Sequence, residues 1–209
     1  MIPVILTILA VGVILICSEL WYRARGLESE FSRKFVHITV GSFTAFWPFF
    51  MSWNNIRFLS ASFLVAVAAS KYLKVFTAIH SVQRPTWGEL FFAAVAGALT
   101  FATNNKWVFA ASLLQMSLAD GFAAVVGIRL GKNNRYKVFG HTKSVAGSLT
   151  FFIFSVVILL GLSHFSAYDL SLPRVTLISV LATFIENVGV RGSDNLLVPM
   201  LVAFLIRTS

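Results

Sequence analysis

Eight apolar stretches follow one another along this chain, and short polar segments separate most of them. A helix needs about 20 apolar residues to cross the hydrocarbon core of a membrane, a length that the early stretches approach and the last two do not reach. We therefore predict an all-α fold, a polytopic transmembrane helical bundle of about eight spans. Seven spans is the alternative, with a broken helix around 186–194. The predicted spans are Ile2–Tyr22, Phe35–Met51, Ile56–Tyr72, Thr86–Thr103, Trp107–Ile128, Ser144–Leu162, Val175–Asn187 and Asn195–Ile206.

Composition excludes a water-soluble domain. Hydrophobic residues make up 57% of the chain, charged residues 12%, and the mean hydropathy is +0.82. The polar segments are too short for a separate extramembrane domain, so residues 1–209 are expected to form a single integral membrane domain. The first stretch is too long for a signal-peptide core and lacks a small-residue cleavage site, so we interpret it as a span. Cys17 is the sole cysteine, which excludes an internal disulfide.

Lysine and arginine residues orient the predicted bundle, because short cytoplasmic loops carry the excess of positive charge. Thirteen cations lie on one side, against Arg57, Lys106, Arg174 and Arg207 on the other. We therefore expect the amino terminus outside and the basic face in the cytoplasm, where the net charge of +9 suits contact with anionic lipids. The cytoplasmic set comprises Arg23, Arg25, Arg33, Lys34, Lys71, Lys74, Arg84, Arg129, Lys132, Arg135, Lys137, Lys143 and Arg191.

Asp120 is the most informative polar residue, because it lies inside an apolar span. A carboxylate there costs about 2.5 to 3.5 kcal/mol unless it faces protein or water. Helical spacing places it on one stripe with Ser117, Ala124, Gly127 and Gly131. The alternative interpretation of this stripe is a packing seam of small residues. The basic loop that follows favours a site instead, since magnesium-bound polyphosphate requires both carboxylate oxygens and cations.

Two further segments at the same face suit phosphate binding. The loop cation Lys132 follows Gly131, although the glycines end a helix and do not form a Walker loop. Beyond it, Lys143 precedes the sixth span, whose exposed amides would bind phosphate and whose first turn Thr142 or Ser144 would cap. The alternative is an ordinary capped helix start. That alternative explains one hydroxyl, but it explains less well the set Lys143, Ser144, Gly147 and Ser148.

Candidate acid–base groups complete the face. Arg33 and His37 are four residues apart at the cytoplasmic mouth of the second span, flanked by Lys34. His37 is interpreted either as a functional group, which accepts a proton from an alcohol or donates a hydrogen bond to phosphate, or as a structural hydrogen-bonding residue, with equal weight. Glu89 begins the fourth span. It is either an acid favoured by the dipole at a helix start, or a further carboxylate that binds metal or acts as a general base. The last loop contributes two more acids, one of which Arg191 could neutralise. They are Glu186 and Asp194.

Taken in order, these motifs resemble the CTP-dependent lipid alcohol kinases, a group that includes the phytol, farnesol, dolichol and diacylglycerol kinases. The group is distantly similar to the membrane CDP-diacylglycerol synthases. The resemblance covers about residues 30 to 200, and the short chain is most similar to the phytol and prenol kinase branch. The motifs are Arg33-Lys34-x-x-His37, Arg84-Pro85-x-x-Gly88-Glu89, Ala119-Asp120-x-x-Ala123-x-x-x-Gly127-x-x-x-Gly131, Lys143-Ser144-x-x-Gly147-Ser148, and Glu186 followed by Asp194-Asn195-x-x-x-Pro199.

The resemblance implies a membrane kinase that transfers the γ-phosphate of CTP, or of another nucleoside triphosphate, to a prenyl alcohol such as phytol, geranylgeraniol or farnesol, with Mg²⁺ as cofactor. Catalytic roles would fall to Asp120, His37, Lys143 and Glu89. Asp120, Asp194 and Glu186 would hold the metal. The nucleotide-binding residues would be Arg33, Lys34, Gly127, Gly131, Lys132, Lys143, Ser144, Gly147, Ser148 and Asn195.

Two other functions fit the same residues. A cytidylyltransferase would form a CDP-lipid and release pyrophosphate, and a transporter of phosphorylated lipids would consume no nucleotide. The ordered motifs favour the kinase. We expect membrane lipids, a nucleotide and a lipid alcohol as partners, and no nucleic acid. The lack of a leader rich in Arg and Ser favours a prokaryotic plasma membrane.

Overall fold

The structure is a computed structural model that describes residues 2–25, 29–73 and 87–207. Helices dominate these ranges, so the predicted helical architecture is confirmed. The helices are α1 (Ile2–Arg25), α2 (Ser29–Ala45), α3 (Trp53–Leu73), α4 (Gly88–Ala102), α5 (Lys106–Leu114), α6 (Asp120–Leu130), α7 (Val145–Phe165), α8 (Leu172–Val188) and α9 (Asp194–Arg207).

Within the described ranges, three helical segments are long and apolar enough to cross a membrane. They are Ile2–Trp21, Lys106–Leu130 and Val145–Phe165, and Gly88–Ala102 is a shorter apolar helix. Large aliphatic side chains lie exposed along these segments, for example Leu9 on α1 and Val157 on α7. Exposed apolar surface of this extent fits a lipid environment. The count of about eight spans stays a prediction.

The fifth predicted span is a continuous helix with a local change of winding. A π-helical turn, Gln115–Ala119, joins α5 to α6 immediately before Asp120. Such turns rotate the residues that follow them relative to a regular helix. As a result Ser117 packs against α2, where its hydroxyl lies 3.3 Å from that of Ser42. Asp120, in contrast, lines the polar cavity described below, and Ser117 does not.

The core is apolar and tightly packed between the helices. Its largest fully buried side chains include Trp47, Phe109 and Phe151. Serine hydroxyls satisfy backbone groups where helices approach closely: the Ser60 hydroxyl on α3 donates to the Ala93 carbonyl on α4 (2.7 Å) and accepts from the Gly97 amide (2.9 Å). These bonds hold α3 against α4, which matters because the two helices form one side of the groove described below.

A β-hairpin departs from the all-α prediction. Strands β1 (Arg135–Val138) and β2 (His141–Ser144) pair antiparallel through a two-residue turn, with Val138 opposite His141. Phe139 and Gly140 have φ values of 46° and 81°, the conformation that tight hairpin turns require. The hairpin stands where a loop was expected between the fifth and sixth spans. Two short segments whose side chains alternate in burial, joined by a glycine-containing turn, favour antiparallel strand pairing over an irregular loop.

Some predicted features lie outside the described residues. Arg84 and Pro85 of the second motif belong to this group, as do the loop cation Lys74 and the side chains of Arg23 and Arg25.

Candidate functional site

Five parts of the chain converge on one polar cavity of about 540 Å³. α2, the α5–α6 helix, the hairpin with the start of α7, the end of α8, and the loop leading into α9 all contribute to its walls. The charged and imidazole side chains that line it are Arg33, Lys34, His37, Asp120, Arg135, His141, Lys143, Glu186, Arg191 and Asp194. Cations outnumber acids, so the cavity suits an anionic ligand.

Asp120 and Lys34 form the central ion pair of the cavity. The Lys34 ammonium lies 2.6 Å from Asp120 Oδ2, and both side chains are about nine-tenths buried. The His37 Nε2 atom is 3.2 Å from the same oxygen. A buried carboxylate requires such partners, because an isolated one would pay a large desolvation cost.

The contacts of His37 assign its tautomer. Its Nε2 atom is 2.8 Å from the Met116 carbonyl and 3.2 Å from the Asp120 carboxylate, and both of these groups are hydrogen-bond acceptors. Nε2 therefore carries the proton, which leaves the lone pair of a neutral ring on Nδ1. Met116 belongs to the π-helical turn, so the change of winding is what presents its carbonyl and Asp120 to the same imidazole.

The hairpin and α8 form a second ion pair. The Lys143 ammonium donates to the Glu186 carboxylate and, at 2.9 Å, to the Glu186 carbonyl. Burial alone would lower the pKa of Lys143, but the nearby charge of Glu186, with smaller effects from Asp120 and Asp194, raises it above its ordinary value. Lys143 is therefore cationic at neutral pH and available to an anionic ligand.

Tyr136 ties the hairpin to the helices. Its hydroxyl lies 2.5 Å from that of Ser148 and donates to Asn187 Oδ1, while Ser148 also donates to Asn187 at 2.9 Å. This three-residue cluster joins β1, α7 and α8, and it fixes the strand pair that carries Lys143. The sequence reasoning missed Tyr136, although the alternation of Arg135 to Val138 before a glycine turn was a signal for the strand.

Three carboxylates approach one another closely enough to share a cation. One oxygen each of Asp120, Glu186 and Asp194 lies within 4.8 Å of the others. Two opposite ligands on one Mg²⁺ lie about 4.2 Å apart, and an all-oxygen donor set is what this ion prefers. Asp194 forms no ion pair within the described ranges, unlike the other two acids. The residues present therefore fit Mg²⁺.

Small residues allow the close approach of α6 and α7 at the cavity wall. Ser144, and not Thr142, caps α7 by accepting from the Gly147 amide at 3.1 Å. A Cβ atom added to Gly127 would lie 3.0 Å from the Ser144 hydroxyl and 3.5 Å from the Gly147 Cα. The packing-seam interpretation thus describes part of this stripe, whose members other than Ser117 and Gly131 also line the cavity.

The structure separates three predicted site residues from the cavity. Gly131 is buried at the end of α6 against Ser144, and Lys132 is exposed just beyond it. Glu89 is the third, and it lines a neighbouring apolar groove. The other predicted residues do line the cavity, namely Arg33, Lys34, His37, Asp120, Gly127, Lys143, Ser144, Gly147, Ser148, Glu186, Asp194 and Asn195. Arg135, His141 and Arg191 join them without having been predicted.

The apolar groove adjoins the polar cavity. It lies between α1, α2, α3 and α4, and its walls are mainly aliphatic and aromatic. Four residues line both spaces, which makes them the boundary between the polar and apolar regions. They are Arg33, His37, Gly88 and Asn195. The Asn195 side-chain amide donates to the Gly88 carbonyl at 2.8 Å and so joins α9 to the start of α4 at this boundary.

Comparison with known proteins identifies relatives along nearly the whole chain. It is 32% identical over 200 residues to the phytol kinase of Synechocystis sp., an alignment that covers 90% of this chain and 83% of that protein. It is likewise 32% identical to the probable phytol kinase 2, chloroplastic, of Glycine max, covering 100% and 76% respectively. The phytol kinase 1, chloroplastic, of Arabidopsis thaliana is 27% identical. No family model and no solved structure matches the chain. The resemblance of the motifs is thereby confirmed, and the chain belongs to the phytol kinase family.

Proposed function

We propose that this protein is a prenyl alcohol kinase that transfers the γ-phosphate of CTP to an alcohol of the phytol class. One observation carries the proposal: a basic cavity with three clustered carboxylates meets an apolar groove at His37. An enzyme that joins a nucleotide phosphate to a lipid hydroxyl requires the two environments to meet, so that the reacting atoms can approach to about 3–3.5 Å. The names of the relatives support an alcohol acceptor.

The acceptor hydroxyl would lie at the boundary, beside His37. During transfer, a bond forms between the alcohol oxygen and the γ-phosphorus, and the bond from the γ-phosphorus to the bridging β–γ oxygen breaks. The hydroxyl proton passes to His37 Nδ1, the nitrogen left free by the contacts of Nε2. The products are CDP, a prenyl monophosphate and that proton. Asp120 holds the ring in this tautomer and stabilises the imidazolium that forms.

The cations of the cavity would bind the triphosphate. Lys34 and Lys143 line the cavity from opposite walls, with Arg33, Arg135 and Arg191 around them. Charge developing on the leaving group is stabilised most effectively by groups that are already in place. Asp120, Glu186 and Asp194 would hold Mg²⁺, which supplies charge neutralisation between the phosphates when bound.

The membrane arrangement is part of the proposal. The spans number about eight, the amino terminus is outside, and the cavity opens at the cytoplasmic face, where most of the cations lie. A prokaryotic plasma membrane suits this arrangement. The acceptor would enter from the bilayer and the nucleotide from the cytoplasm. The lipid alcohol would then not have to pass through water, nor the nucleotide through the bilayer.

The test is product analysis with purified protein in lipid nanodiscs. CTP, ATP, GTP and UTP, each labelled, are offered with phytol, geranylgeraniol, farnesol and diacylglycerol. A prenyl monophosphate together with CDP supports the proposal. Pyrophosphate with a CDP-lipid identifies a cytidylyltransferase instead, and movement of a phosphorylated lipid across sealed vesicles without nucleotide turnover identifies a transporter. Asp194→Asn, which removes one carboxylate of the three-acid cluster, is the control expected to be inactive.

A further inference from the structure

The apolar groove extends along α2. Its α2 wall consists of residues three or four positions apart, which therefore share one helix face: Val36, Val40 and Thr44. Phe63 and Val67 of α3 form a second wall. On α4, Phe92 is followed by Ala93 and Ala96, whose small side chains leave the space open. In the deep part, the hydroxyl of Thr44 is satisfied by the backbone, because it donates to the Val40 carbonyl at 2.8 Å.

Trp47 closes the deep end of the groove. Its side chain is only 1% exposed and stacks on Phe63, with ring centroids 6.0 Å apart. Phe43 contacts it edge-on at 6.5 Å. From position 37 to the end of α2 at position 45, at about 1.5 Å per residue, the distance along the helix is roughly 12 Å, and Trp47 follows in a short 3₁₀ turn, Trp47–Phe49. One end of the groove is thus at the polar cavity and the other is walled by an aromatic cluster.

We propose that this groove binds the prenyl chain of the acceptor, with Trp47 limiting the chain length that the enzyme accepts. The inference rests on the proposed kinase function and assigns the lipid part of its site. Continuity carries it: His37 and Gly88 line both spaces, so a chain in the groove presents its hydroxyl at His37. Walls that are mainly aliphatic and aromatic suit a hydrocarbon and disfavour a polar headgroup.

A filling variant tests the groove. Val40 lies about one helical turn beyond His37, so Val40→Phe obstructs the channel near its mouth. We expect kcat/KM to fall by about tenfold or more for phytol, geranylgeraniol, farnesol and geraniol, because each of these chains has to pass Val40. The KM for nucleotide stays at the wild-type value, because Val40 does not line the polar cavity. Val65→Phe is the matched control, since Val65 is 69% exposed on α3 outside the groove.

An opening variant tests the closed end. Trp47→Phe keeps an aromatic ring against Phe63, and it removes an indole N–H that has no hydrogen-bond partner among the described residues. The variant should therefore fold. We expect prenyl alcohols longer than geranylgeraniol to gain several-fold in kcat/KM relative to farnesol. A wild-type kcat/KM for every alcohol in Val40→Phe, or an unchanged length preference in Trp47→Phe, overturns the proposal.

Photolabelling of the wild-type protein tests, without requiring turnover, whether the prenyl chain occupies the groove. A farnesol analogue with a diazirine at the far end of its chain should label the segment around Trp47 and Phe63, and unlabelled phytol should compete. Label confined to the exposed face of α7 contradicts the groove assignment. Failure of the wild-type protein to phosphorylate any alcohol contradicts the proposed function instead, and leaves the labelling result to judge the groove.

Discussion

Removing the charge of Asp120 should separate catalysis from folding. Asp120→Asn preserves the size of the side chain and its capacity to accept a hydrogen bond from Lys34, whose ammonium lies 2.6 Å away. It removes the negative charge that pairs with Lys34 and contacts His37. We expect turnover to fall by about 10² to 10³, the range observed when one preorganised electrostatic group is removed from an active site.

The effect on stability follows from the cation that remains. Breaking a fully buried ion pair costs about 3–5 kcal/mol, because the remaining charge is unpaired. Lys34 lines a polar cavity and keeps a neutral acceptor in the variant, so we place the cost lower, at about 2 kcal/mol. For a chain of 150–250 residues this lowers Tm by about 4–8 °C.

A second variant makes the reasoning testable. In Asp120→Asn with Lys34→Gln the unpaired cation is absent, so Tm should return close to the wild-type value while turnover stays low. Tm would be measured by the fluorescence of detergent-solubilised protein and turnover by prenyl phosphate formation. Near-normal turnover in Asp120→Asn would make Asp120 a packing residue. A Tm that does not recover in the double variant would refute the ion-pair account of its stability.

Three further outcomes are expected. Lys143→Ala should raise the nucleotide KM or lower kcat/KM several-fold. Lys132→Ala changes an exposed residue away from the cavity and should leave the nucleotide titration unchanged. Equal effects of the two substitutions would contradict the placement of Lys143 in the nucleotide site. Tyr136→Phe removes the bonds to Ser148 and Asn187 and should raise the nucleotide KM by up to about tenfold, with the alcohol KM unaffected; a loss in both would indicate general unfolding. Removing divalent cations with EDTA should abolish turnover, and added Mg²⁺ should restore it; turnover that persists in EDTA would exclude the three carboxylates as a required metal site.

The helices and much of the candidate site could be predicted from the sequence. Length and apolar composition determine where helices form in a membrane chain, and a carboxylate such as Asp120 inside an apolar segment has to face partners. Because successive spans cross the membrane in opposite directions, the sequence alone predicts that Lys34, Asp120 and Lys143 lie at the same membrane face. Their grouping around one cavity is consistent with that expectation.

Other features depend on tertiary contacts that no local pattern encodes. The π-helical turn at Gln115–Ala119 has no distinctive composition, and its carbonyl at Met116 has a partner in His37 only once α2 is packed beside it. The hairpin has a local signal in its glycine turn. Its position over the cavity depends on Tyr136, whose partners lie on α7 and α8. Spacing along the stripe also misplaced Gly131, because the helix ends there.

The pairing of acids with lysines in the cavity lowers the energetic cost of burying charged side chains there. Asp120 with Lys34, and Glu186 with Lys143, are each neutral as pairs, so the protein need not bury isolated charges at the membrane boundary. A polyphosphate bound with a divalent cation presents the same two kinds of charge. The lysines can then pair with phosphate oxygens while the carboxylates pair with the metal, and each group exchanges one opposite charge for another. Both arrangements therefore give these two lysines and their two carboxylates a partner of opposite charge, and neither leaves one of the four isolated in the cavity. A cavity built in this way can therefore be stable by itself and still bind a highly charged substrate.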